Sequence, residues 1–111
     1  MNSDERIPLI KQYVELSKKN GEHPTTVGLA KIAGIDRKEQ WKIVTGQKTD
    51  NEYSQEFIDA INSAFDEIEE HFNELCKIGE VHPVIEAFVK ANTFSRRNRA
   101  REQKRAQMSN L

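Results

Sequence analysis

Between residues 58 and 75 the apolar side chains fall at Ile58, Ile61, Phe65, Ile68, Phe72 and Leu75, alternately three and four positions apart. An α-helix brings positions so spaced onto one face, because each turn takes about 3.6 residues. The other faces carry Asp59, Asp66, Glu67, Glu69, Glu70 and Glu74. The segment therefore reads as a long amphipathic helix over about 52–78, stopped by Gly79. Such a helix spans about 40 Å and needs cover along its whole ridge.

The cover comes either from the chain's own helices or from a second copy. Phe65 and Phe72 are bulky for a two-stranded coil, which favours several neighbours. The chain has 111 residues, 36% hydrophobic and 32% charged, so little apolar material remains elsewhere to hide the ridge. Small domains also bury a modest share of their surface. The six ridge residues are accordingly expected to form an oligomer interface.

The net charge of −1 conceals three blocks. Residues 1–49 carry a net +3, residues 50–86 a net −10 and residues 87–111 a net +6. Phosphate is drawn to both ends and repelled by the middle. No run of about 18 apolar residues exists, so no membrane span is expected. The polar, acidic start Met1-Asn-Ser-Asp-Glu is unlike a signal peptide, and the lone Cys76 suits a reducing cytoplasm.

Upstream of the ridge the chain reads as three shorter helices. The first covers about 8–20, with Pro8 near its start, the stripe Leu9, Ile10, Tyr13, Val14 and Leu16, and Gly21 past its end. His23-Pro24 breaks the chain, and Thr25 or Thr26 can cap a second helix over about 26–33. Gly34 permits a sharp turn, Ile35 plugs the angle, and Asp36 can cap a third helix over about 37–45, stopped by Gly46. Downstream, a short helix over about 83–91 is expected to bury Val84, Ile85, Phe88 and Val89. From Ser95 the chain is polar and cationic and is expected to be flexible or loosely helical when unbound.

The paired helices around Gly34 have the outline of a helix-turn-helix, whose second helix enters the DNA major groove. An ordinary helical hairpin has the same outline. Favouring DNA, Arg37, Lys38 and Lys42 lie on the second helix, flanked by Lys31 and Lys48. Against it, Glu39 repels phosphate and Gln40 stands where such helices often bury an aliphatic side chain. Trp41 and Val44 are expected to carry the inward packing. The tail cations Arg96, Arg97, Arg99, Arg101, Lys104 and Arg105 suit DNA, an acidic protein surface or plain solubility. No strand pattern or internal repeat appears. The expected fold is all-α: a helix-turn-helix DNA-binding domain (1–49), a helical oligomerisation region (50–93) built on the long central helix and the short C-terminal one, and a flexible basic tail (94–111).

No catalytic or cofactor motif is present. His23, His71 and His82 lie far apart in sequence without ligand spacing, so no metal site is expected. Glu69, Glu70 and Glu74 fit a solvated helix face better than a catalytic carboxylate cluster. Cys76 lacks a histidine partner and reads as a buried or half-buried thiol.

Four pieces, in this order and spacing, resemble the bacteriophage terminase small subunits, the DNA-recognition components of genome-packaging motors. They are Pro24-Thr25-Thr26-Val27-Gly28-Leu29-Ala30, Ala33-Gly34-Ile35-Asp36-Arg37, Tyr53-Ser54-Gln55-Glu56-Phe57-Ile58-Asp59-Ala60-Ile61, and Val84-Ile85-Glu86-Ala87-Phe88-Val89-Lys90-Ala91-Asn92. The resemblance covers roughly residues 7–97. Glu39-Gln40 replaces that family's usual Thr and aliphatic pair, and Thr93-Phe94 replaces its Gly-Trp. The resemblance implies a non-enzymatic adaptor in the host cytoplasm, a homo-oligomeric ring displaying helix-turn-helix units to double-stranded DNA. Its other partner would be the ATP-hydrolysing large subunit. A dimeric transcription regulator and a purely protein-binding helical adaptor are the competing readings.

Overall fold

Six α-helices account for most of the chain in the computed structural model, which describes residues 3–109 and the side chains of residues 3–107. A 3₁₀ turn at Ser3–Arg6 leads into α1 (Ile7–Lys19), followed by α2 (Thr26–Ala33), α3 (Arg37–Val44) and α4 (Gln55–Lys77). Then come α5 (Pro83–Val89), a π-helical turn (Lys90–Phe94) and α6 (Ser95–Ser109). Among the described residues there is no strand. The chain is all-α. No helix among them is long and apolar enough to cross a membrane.

The short helices begin where side chains satisfy their first amide groups, which have no partner inside the helix. Thr25 Oγ1 accepts from Gly28 N at 3.0 Å, and Asp36 Oδ1 accepts from Glu39 N at 2.7 Å. Ser54 Oγ accepts from Phe57 N at 3.1 Å and donates to Asp4 Oδ1 at 2.6 Å, so the cap of α4 also holds the N-terminal turn. α2 ends at Gly34, which is left-handed with φ 72°. There Gly34 N donates to Lys31 O and Ile35 N to Ala30 O. These two bonds satisfy the last carbonyls of α2 and reverse the chain. The Arg6 guanidinium lies where a Cβ at Gly34 would stand, and its Nη1 donates to Ile32 O at 3.1 Å.

The chain divides into two units, Met1–His71 and Phe72–Leu111. The division falls inside α4. In the first unit the buried side chains include Ile7, Ile10 and Val14 of α1, Leu29 and Ala33 of α2, and Ile43 and Val44 of α3. From α4 come Phe57, Ala60, Ile61, Ala64, Phe65 and Ile68.

That burial corrects the expected interface. Ile61, Phe65 and Ile68 are closed inside the chain, so no second copy reaches them without unfolding. Ile58, Phe72 and Leu75 are half-buried. The ridge is deeper than its heptad spacing suggested, because Phe57, Ala60 and Ala64 widen it into a face broad enough for several helices.

The second unit contains the end of α4 and an unbroken helical run from Pro83 to Ser109. The segment from Ser95 is thus helical, which is the second of the two states expected for it, flexible or loosely helical. Phe94 is buried, its ring 5.8 Å from that of Phe72 and tilted by 44°. Lys90 Nζ donates to Glu86 Oε1 at 3.0 Å, which holds the Glu86 carboxyl below its usual range.

Candidate nucleic-acid interface

The inward face of α3 is formed by Glu39, Gln40, Ile43 and Val44. Two of these are polar, and each is bonded. Gln40 Nε2 donates to Thr26 O at 2.8 Å, tying α3 to the first turn of α2. The Glu39 carboxylate accepts from Asp50 N at 2.9 Å, Asn51 N at 3.4 Å and the Tyr53 hydroxyl at 2.8 Å. It thereby folds the loop between α3 and α4 back onto α3. The Asp50 amide, ahead of the opposing cost of burial, holds the Glu39 carboxyl below its usual range. Burial, and after it the bond to Glu39, pushes the Tyr53 phenol up.

Glu39 therefore does not stand on the outer surface of α3. Its charge is turned inward and spent on three donors. Trp41, expected in the core, is half-buried. Helical spacing places it on the same side as Arg37 and Lys38, because residues three and four apart share a face. Nothing in the sequence pattern pointed to Trp41 there, since Ile43 supplies the apolar inward position instead.

Arg37 and Lys38 are exposed at the first turn of α3; Lys31 on α2 and Lys48 in the following loop are exposed as well. Lys42 is not comparable. Its Nζ lies 2.9 Å from Asp50 Oδ1 and 3.9 Å from Glu39 Oε1, with the side chain 19% exposed. The hydrogen bond to Asp50 raises the Lys42 ammonium and lowers the Asp50 carboxyl. Lys42 is corrected from a DNA contact to a strut of the α3–α4 loop.

In the second unit Arg96, Arg99, Arg101, Lys104 and Arg105 are exposed along α6. Arg97 is 0% exposed, which removes it from the set able to meet phosphate. Its position in a cationic run disguised it.

The histidines also differ from expectation. His23 Nδ1 and His71 Nε2 share a hydrogen bond at 3.1 Å, with ring centres 5.3 Å apart. The nitrogens point at one another, which binds the loop before α2 to α4. Among the described residues no three His, Cys, Asp or Glu side chains gather as a metal site. Burial pushes the Cys76 thiol up, and a bond to Glu86 adds to it, so the reactive thiolate is disfavoured.

No protein-family model, curated protein or solved structure matches the chain.

Proposed function

We propose that the protein is a DNA-binding adaptor of the terminase small subunit type, in which α2 and α3 act as a helix-turn-helix. The observation that carries this reading is the orientation of α3. Its polar residues Glu39 and Gln40 are consumed inside, while Arg37 and Lys38 stand exposed at its start, immediately after the left-handed turn at Gly34. Recognition helices contact DNA through their N-terminal residues. Arg37 suits a guanine edge or a phosphate because its guanidinium donates in a fork; Lys38 suits phosphate as a point charge. Lys31 and Lys48 would add contacts to the backbone.

Such a unit binds weakly alone, and several copies in one assembly would give useful avidity. The protein would then select viral DNA and pass it to a large ATP-driven subunit, doing no chemistry itself. Arg37→Glu combined with Lys38→Glu should lower affinity for duplex DNA by more than tenfold, about 1.4 kcal/mol, at moderate salt. Fluorescence anisotropy on labelled duplex reads the effect, and circular dichroism verifies the helices. Unchanged affinity in a folded double variant would remove α3 from the interface.

A purely protein-binding adaptor is the second reading. It is favoured by the exposed apolar residues Ile78, Val84, Ile85 and Phe88. A chain that binds no duplex at any salt concentration would select it.

A further inference from the structure

Two surfaces are left unused by the DNA reading. Val84, Ile85 and Phe88 share one face of α5 and are 69%, 55% and 67% exposed. Each such side chain gains about 1.5–3 kcal/mol when taken out of water, and an apolar cluster left bare marks an interaction site. The expectation that these residues are buried fails within the single chain. The same helical run continues into α6, whose exposed Arg96, Arg99, Arg101, Lys104 and Arg105 are accompanied by one acid, Glu102. The run is therefore an arm with an apolar base and a cationic shaft.

The other surface lies in the first unit. A groove of about 610 Å³ runs along α4 beside Lys11 of α1. Ala60, Ser63 and Ala64 line it with small side chains, which let a helix approach closely; Asp59 and Glu67 line it with acids, and Glu56 is paired there with Lys11 Nζ at 3.6 Å. Opposite charge on two surfaces of one chain is complementary only when copies meet in the matching orientation. Asp59 and Glu67 in the groove and the +6 of residues 87–111 supply that complementarity.

We propose that the α5–α6 arm of one copy docks along the α4 groove of a second copy. The α6 cations meet Asp59 and Glu67, and Val84, Ile85 and Phe88 are covered by the contact. This deepens the oligomeric part of the proposed function and rests on it. Arm and groove are different surfaces, so the contact is head-to-tail, and its repetition closes a ring or extends a filament.

Sedimentation velocity on the full chain at low salt tests this with charge exchange. Wild type should sediment as an assembly and dissociate as salt screens the exposed charges. Arg99→Glu with Arg105→Glu, and separately Asp59→Lys with Glu67→Lys, should each sediment as single copies. Mixing the two variants should restore association, because each then offers a surface opposite in charge to the other's. Phe88→Asp should also dissociate the assembly. All five positions are exposed, so folding is retained, and circular dichroism checks it. A wild-type chain of single-copy mass overturns the inference, as does an assembly unaffected by both reversals or a mixture that stays dissociated. A single copy that still binds duplex through Arg37 and Lys38 overturns this docking and leaves the DNA reading standing.

Discussion

Glu39 shows how a residue's type can mislead about its work. An acid in the first turn of a proposed recognition helix reads as a liability, yet here it bonds Asp50 N, Asn51 N and Tyr53 Oη. Hydrogen bonds to an ionised acceptor contribute about 1.5–3 kcal/mol, and donors left unsatisfied cost more than the bond gained. Glu39→Gln should therefore destabilise the protein by about 1–3 kcal/mol in urea unfolding at neutral pH. The pH dependence has a fixed sign. The Glu39 carboxyl is held below its ordinary 4.5 in the folded state, so its contribution is complete above that value. It is lost as pH falls through the depressed folded value. Glu39→Gln should lack that part of the acid sensitivity; a variant that tracks wild type down to pH 3 would show that the carboxylate is not held as described. Gly34 makes a second test at this scale. An alanine there meets a left-handed backbone and the Arg6 guanidinium, so Gly34→Ala should cost more than about 1 kcal/mol.

Among the elements, those with local punctuation were readable from sequence. Thr25, Asp36, Gly34, Gly79 and Pro83 stop or start helices by their own chemistry, and the observed boundaries lie within a few residues of the expected ones. What was not readable depends on partners distant in sequence. The inward face of α3 is polar because Thr26 O and the loop at Asp50–Tyr53 satisfy it, and no periodicity of apolar residues records that. The His23–His71 bond joins positions 48 residues apart. α6 was legible only as a flexible or loosely helical segment because its hydrophobic residues are nearly absent, and Arg97 looked like any other tail cation. Its complete burial separates it from its neighbours. Arg97→Ala should lower stability by more than about 1 kcal/mol, through lost packing of its stem as well as lost polar partners, whereas Arg99→Ala at an exposed position should stay within about 0.5 kcal/mol. Equal effects in chemical denaturation would contradict the distinction.

For the molecule as a whole, the distribution of charge was legible from the sequence and the distribution of apolar surface was not. The three charge blocks follow directly from composition along the chain. The ridge of α4, by contrast, was expected to face a second copy, and half of its six residues are buried at home while the other three are half-buried; bare apolar residues stand on α5. An assembly built on the arm and groove would display many copies of α3, each holding DNA by few charges. The most direct test of that account is the dependence of duplex affinity on salt, measured for wild type and for Arg37→Glu with Lys38→Glu. The account predicts a linear fall of log K with log salt for wild type, and a slope shallower by about two in the variant for each engaged α3. Identical slopes, or affinity indifferent to salt, would contradict it.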